Sequence, residues 1–161
     1  MKVIIQDTRE KPQAIGKINR QFEENGYKVV RSKMIVGDYQ FLDNPYFVID
    51  RKQDLQELCG NVCQQHQRFK AELKRANELG IKVCVLCEHG GSIETLEDVK
   101  AWYNPRLKTS PKATKGETLF KILQTLSWNY DVEFVFCKKG VTGLKIIELL
   151  ERHDGNGERG K

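Results

Sequence analysis

The stretch Gly37-Asp38-Tyr39-Gln40-Phe41-Leu42, Asp43-Asn44-Pro45, Tyr46-Phe47-Val48-Ile49-Asp50-Arg51-Lys52 decides the fold. Its outer runs are rich in aromatic and β-branched residues, and Asp-Asn-Pro between them is turn chemistry. The segment predicts a β-hairpin. Side chains alternate along an extended strand, so Asp50 and Lys52 project from one face. Centring the loop on Asn44 sets Leu42 opposite Tyr46 and Asp38 opposite Asp50. Opposed Cβ atoms lie roughly 4.5–5.5 Å apart, and like charges there are destabilising on their own. A divalent cation between them reverses the sign.

Elements on either side extend the pattern. Val3-Ile4-Ile5 reads as a buried strand. Pro12 opens a helix with Ala14, Ile15, Ile18 and Phe22 at helical spacing, and Asn25-Gly26 ends it. Tyr27 to Arg31 is a second strand. Residues 53–79 are helix-prone, broken near Gly60-Asn61 and closed by Gly80. Lys82 to Cys87 is a strand and 93–103 a short helix. Over 117–130, Leu119, Phe120, Ile122, Leu123, Leu126 and Tyr130 share one helix face. Val132 to Phe136 is a strand, and Val141 to Glu151 a final helix. Strands interleaved with helices predict a three-layer α/β domain over residues 1–151, followed by a polar flexible tail at 152–161.

With 161 residues, one domain with a real core is expected. A net charge of +5 and a pI of 8.9 suit a polyanionic partner. No apolar stretch approaches the ~18 residues of a membrane span, and the first residues are too polar for a signal peptide. Five cysteines, an odd number with no secretory signal, suit reduced thiols in a cytoplasmic protein.

The hairpin carries the chemistry. Mg²⁺ takes one or two carboxylates plus waters and phosphate oxygens. At such a pair it polarises a phosphoryl oxygen and lowers the pKa of a bound water. Lys52 is placed to stabilise developing charge or to position the attacking water. Phosphodiester hydrolysis is the reaction these parts suit. A zinc reading rests on Cys59, Cys63 and His66 at i, i+4 and i+7 and on Cys84-x-x-Cys87 with His89. Strand alternation sends Cys84 and Cys87 to opposite faces, which favours buried free thiols instead.

Asp7-Thr8-Arg9-Glu10, Gly37-Asp38-Tyr39 and Val48-Ile49-Asp50-Arg51-Lys52, in this order, resemble the nuclease domain of the XPF family. These are structure-specific DNA endonucleases of the restriction-endonuclease-like superfamily. The resemblance continues through Gln67-Arg68-Phe69, Val83 to Glu88, Gly116-Glu117-Thr118-Leu119 and Val132 to Phe136, so it spans roughly residues 2–150. It implies a three-layer restriction-endonuclease-like fold, with a central mixed β-sheet flanked by helices. Asp38 and Asp50 would ligate Mg²⁺ or Mn²⁺, and Lys52 would support the nucleophilic water. Asp7 and Glu10 would lie at the site's edge, behind the ligands or as additional metal groups. Arg9, Arg51 and Arg68 would meet phosphates or orient the carboxylates.

The sequence departs from the family at three points. The usual Glu-Arg-Lys is Asp50-Arg51-Lys52 here. A further acid usually follows that Lys, at a spacing held by Gln56, with Asp54 two positions earlier. Nothing after Glu151 is long enough for the tandem helix-hairpin-helix domain of many members, which bears on junction specificity and on the dimer those domains help hold. The implied partner is DNA, with a homodimer as an option, and neither a membrane nor a small-molecule cofactor.

Residues 104–116 carry Arg106, Lys108, Lys112 and Lys115, no acid and two Pro. A mobile loop is expected, either solvated or bound to nucleic-acid backbone. Trp102-Tyr103 before it would stack on a base or belong to the core. The overall expectation is a metal-dependent endonuclease cutting DNA at branched or flap-like structures. Its rivals are a catalytically inactive DNA-binding or dimer-partner subunit of the same fold, and a resolvase or restriction-like nuclease with another nucleic-acid substrate.

Overall fold

Two central strands apolar on both faces set the architecture. The computed structural model describes the backbone of residues 1–159 and the side chains of residues 1–154. Its elements are β1 (Val3–Gln6), α1 (Pro12–Glu24), β2 (Lys28–Arg31), β3 (Tyr39–Phe41), β4 (Asn44–Lys52), α2 (Leu55–Cys63), α3 (His66–Glu78), β5 (Lys82–Glu88), α4 (Gly116–Tyr130), β6 (Glu133–Cys137) and α5 (Thr142–Arg159). The strands form one mixed sheet in the order β2-β1-β3-β4-β5-β6. β1 runs parallel to β2 and antiparallel to β3, β3 and β4 are antiparallel, and β4, β5 and β6 are mutually parallel. Parallel neighbours need a crossover: α1 links β1 to β2, α2 and α3 link β4 to β5, and α4 links β5 to β6.

Alternation divides the core into two halves. Phe47, Ile49, Cys84 and Leu86 pack with Ile18 and Phe22 of α1 and Ile146 and Leu149 of α5. Val48, Val83, Val85 and Cys87 pack with Leu58 of α2, Leu73 of α3 and Leu123 of α4. A strand buried on both faces reads as a continuous apolar run, as β4 and β5 do. The expected three-layer α/β fold is present: α2, α3 and α4 on one side of the sheet, α1 and α5 on the other. Among the described residues no helix is long and apolar enough to cross a membrane.

The structure corrects several local expectations. Tyr39 pairs with Ile49, which continues to Asp38 opposite Asp50, but at the turn end Phe41 pairs with Asn44. The turn is therefore Leu42-Asp43, and β4 bulges to absorb its extra residues. Pro45 has no N–H for the ladder, so pairing breaks there. Leu42 and Tyr46 are exposed instead of facing each other. The helical break comes at Gln64-Gln65, not at Gly60-Asn61, because buried Leu58, Cys59 and Val62 hold α2 on the core across Gly60. The short helix expected over 93–103 is a 3₁₀ turn at Glu97–Ala101. Trp102 is buried and Tyr103 exposed.

The basic segment 104–116 carries local structure of its own. Pro105–Lys108 form a 3₁₀ turn. The buried Asn104 side chain accepts from Arg106 N (3.0 Å) and donates to the Thr114 carbonyl (2.9 Å), pinning both ends. α5 continues past the expected end at Glu151 to Arg159. The His153 ring stacks on Phe47 at 3.7 Å, so the boundary expected at residue 151 falls inside a helix. The side chains of 155–159 and all of 160–161, the rest of the expected tail, lie outside the described residues.

Gly116 opens α4 where the backbone of the preceding segment passes close. A Cβ there would lie 2.5 Å from the carbonyl oxygens of Val99 and Trp102. Backbone cannot step aside as a flexible side chain can, so Gly116→Ala is expected to destabilise the protein by about 1–3 kcal/mol. Urea denaturation followed by circular dichroism measures it.

Candidate active site

Asp7 follows directly on β1, and its carboxylate is fully buried. Asp7 Oδ1 accepts from Met34 N (2.8 Å), and Oδ2 accepts from Arg9 N (3.0 Å) and Arg9 Nε (2.5 Å). Burial alone would raise this carboxyl, but Arg9 and the two backbone N–H groups hold it below its ordinary value. The Asp7 N–H donates to the Asp38 carbonyl (2.8 Å), and the Asp38 N–H donates to the Ile49 carbonyl (2.8 Å). Asp38 is thus clamped between the ends of β1 and β4. Gly37 makes the clamp possible. Its φ is +77°, and a Cβ would sit 2.9 Å from Val48 Cβ.

Alternation at the end of β4 splits Asp50-Arg51-Lys52 between the two faces. Lys52 Nζ lies 3.6 Å from Asp50 Oδ1, as expected for a shared face, and 5.9 Å from the Phe69 ring centroid. Arg51 points to the opposite face and is 8% exposed. Its Nε and Nη2 donate to both oxygens of Glu10 (2.7 and 3.1 Å), and its Nη1 donates to Glu88. Glu88 shares the parity of Cys84 and Leu86 on β5, so the same side of the sheet delivers it. The backbone N–H of Arg51 donates to Asp38 Oδ2 (2.8 Å).

The register carried on from Tyr39 and Ile49 sets Asp38 opposite Asp50, and both line the same cleft. Burial, then the charges of Asp50 and Glu10, push the Asp38 carboxyl well above its ordinary value. The pair opens into a cleft of about 390 Å³. Arg9, Glu10 and Lys52 line it with them, and α2 and α3 contribute Glu57, Asn61 and Glu72.

The residues expected from the sequence separate here. Asp38, Asp50 and Lys52 come together, with Glu10 and Arg9 on the rim. Asp7 does not line the cleft; its carboxylate is occupied by Arg9 and the Met34 N–H. Arg51 borders the cleft, but its guanidinium is taken up by its ion pairs with Glu10 and Glu88. Arg68 lines a neighbouring hollow that shares Lys52, Asn61 and Glu72 with the cleft. Arg106 and Lys112 line a different cleft, while Lys108 and Lys115 are exposed elsewhere. Asp54 caps α2 by accepting from Glu57 N (2.8 Å). Motif and spacing assign no role to Gly37, Glu57, Asn61, Glu72 or Glu88. Glu88 has a signal, an acid closing an apolar strand; Glu72 has none, because only the packing of α3 brings it to the cleft.

Zinc does not fit. Among the described residues no group of three or more His, Cys, Asp or Glu side chains is arranged to hold a metal ion. Cys84 and Cys87 lie in opposite core halves, and the break after Cys63 carries His66 onto another helix. Mg²⁺ or Mn²⁺ does fit the paired carboxylates, because such ions are completed by water and phosphate oxygens. Two acids opposed in register at an open cleft are the arrangement whose repulsion a cation would relieve.

Comparison with known proteins agrees with this fold. The ERCC4 domain profile matches residues 6–140. The solved structure of XPF from Aeropyrum pernix superposes with a TM-score of 0.66 at 18% identity, covering 94% of this chain and 65% of that one. XPF from Aeropyrum pernix in complex with DNA gives 0.64 at 18% identity, covering 98% and 66%. At this identity the likeness concerns the fold, and the chain spans just under two thirds of those structures' length. No curated protein sequence matches the chain.

Replacing Arg51 by Met would leave Glu10 and Glu88 as buried carboxylates without a counter-charge. The expected cost is about 3–5 kcal/mol, read as a fall in the denaturation midpoint. Arg51→Lys should recover only part of it, because an ammonium cannot fork between two carboxylates.

Proposed function

The chain belongs to the ERCC4 domain family, and from that premise we propose that it is a divalent-metal-dependent endonuclease hydrolysing DNA phosphodiester bonds at branched or flap-like structures. The observation that carries this reading is the opposition of Asp38 and Asp50 in register, with Lys52 beside Asp50, lining one open polar cleft. A stable fold would not choose two adjoining carboxylates without a use for them. An inactive partner subunit would have no reason to keep all three groups.

Asp38 and Asp50 would hold the ion, Mg²⁺ or Mn²⁺. The chemistry it supplies when bound is polarisation of a phosphoryl oxygen and a lowered pKa for water. The chain's own residues do the rest. Lys52, held by Asp50 and the face of Phe69, offers a cation to the charge that develops on the phosphoryl oxygens or to the attacking water. Arg9 remains half on the surface while tied to Asp7, so it can meet a phosphate entering the cleft. Arg68 is placed to do the same from the neighbouring hollow. In the reaction, the oxygen of water bonds to phosphorus, one P–O ester bond breaks, and the proton from water ends on the leaving oxygen. The moderately basic surface would draw the polyanion toward a cleft that is itself acidic until a cation fills it.

Two measurements test the reading. Asp50→Asn is expected to abolish Mg²⁺-dependent cleavage of a forked or flapped duplex, with an unchanged circular dichroism spectrum; cleavage at the wild-type rate would overturn the assignment. In the absence of metal, Asp38→Asn removes the like-charge repulsion, so its Tm should rise above that of the wild type. Mg²⁺ or Mn²⁺ should raise the wild-type Tm by mass action and leave that of Asp38→Asn nearly unmoved.

A further inference from the structure

α2 stands between two clefts. Glu57 and Asn61, four residues apart, line the catalytic one. Gln56, Gly60 and Cys63, at i, i+4 and i+7, line the other, of about 490 Å³, whose far wall is the segment 104–114. The two sets occupy neighbouring faces of the helix, and Glu57 lines both clefts. The segment's basic residues divide accordingly. Arg106 and Lys112 face the second cleft, while Lys108 and Lys115 line neither.

The second cleft has the chemistry of a backbone-binding site. Two cations outweigh the one carboxylate of Glu57. The hydroxyls of Ser110 and Thr114 and the amides of Gln56 and Gln64 add polar partners suited to phosphate and sugar. Gly60 leaves the helix backbone bare on this side; a Cβ there would meet nothing within 4 Å. The far wall is fixed in advance, because Asn104 ties Arg106 N to the Thr114 carbonyl. Binding would therefore cost little ordering entropy. The Glu57 carboxylate on the rim between the clefts repels one backbone passing straight from one to the other. Two strands entering separately avoid that repulsion.

Resting on the nuclease reading above, we propose that this cleft holds the backbone of a second DNA strand, the uncut one, at a junction where two strands part, while the scissile strand lies against Asp38 and Asp50. Arg106 and Lys112 would each take a phosphate.

Cys63, half-buried on the cleft wall, is a native reporter. Asp50→Asn protein is alkylated with N-ethylmaleimide, and each cysteine is followed by mass spectrometry alone, with a linear duplex, or with a forked duplex of the same length. Forked DNA is expected to slow Cys63 alkylation at least tenfold and linear duplex less than twofold. Cys137 on β6, half-buried away from this cleft, should keep its rate. In parallel, Arg106→Ala/Lys112→Ala is expected to weaken forked-DNA binding about tenfold and to reduce its salt slope by about 1.4, the value for two contacts to a single strand. Equal protection by linear and forked DNA, or an unchanged salt slope in the double variant, would overturn the proposal. If wild-type protein cuts forked DNA while Cys63 stays unprotected, the second cleft fails alone. If wild-type protein neither binds nor cuts any DNA, the nuclease reading fails with it.

Discussion

The guanidinium of Arg51 ties together three segments far apart in sequence. It grips Glu10 from the turn after β1 with two hydrogen bonds and Glu88 at the end of β5 with a third, all three side chains being largely buried. The backbone N–H of Arg51 donates to Asp38. Removing two carboxylates and a guanidinium from water is costly, and only complete pairing offsets it. The cluster therefore constrains more than it stabilises. β1, β4 and β5 must meet in one register for the charges to cancel, and that register sets Asp38 against Asp50. The side chain between the two working residues of β4 acts from the opposite face of the sheet.

Several costs converge on the same few residues. Asp38 and Asp50 repel, Gly37 holds a positive φ beneath Val48, and Asp7 is fully buried. Each is tolerated because its surroundings are over-determined. Asp7 has three donors, Asp38 has backbone bonds on both sides, and Gly37 lacks the atom that would clash. Local compromise held in place by a rigid sheet marks a candidate functional site. Two basic residues of the segment 104–116, Arg106 and Lys112, line a separate cleft across α2 from this acidic centre.

Strand alternation makes the centre legible in the sequence. Asp50 and Lys52 share a face by parity alone, and the opposition of Asp38 and Asp50 needs only the register of Tyr39 with Ile49. That register persists although the turn forms differently, because the bulge at Pro45 lies between the turn and the site. The roles of Arg9 and Arg51 are open on sequence, since an arginine near a phosphate and an arginine behind a carboxylate look alike in a motif. Burial separates them: Arg9 keeps a free edge and Arg51 has none. The composition of segment 104–116 suggests mobility because Pro, Ser and Lys are loop residues. One buried asparagine orders it, and composition does not register a single side chain that bonds at both ends of a loop.

The sequence by itself determined the order of strands and helices, the two-sided burial of β4 and β5, and the pairing of two carboxylates with a lysine. These follow from periodicity and from bonds between residues close along the chain. Only the tertiary structure decided that Glu88 answers Arg51, that Glu72 reaches the cleft from α3, and that α2 divides the basic segment from the carboxylates. Those contacts join elements tens of residues apart, and their geometry is set by how helices pack across a twisted sheet. No spacing along the chain encodes it.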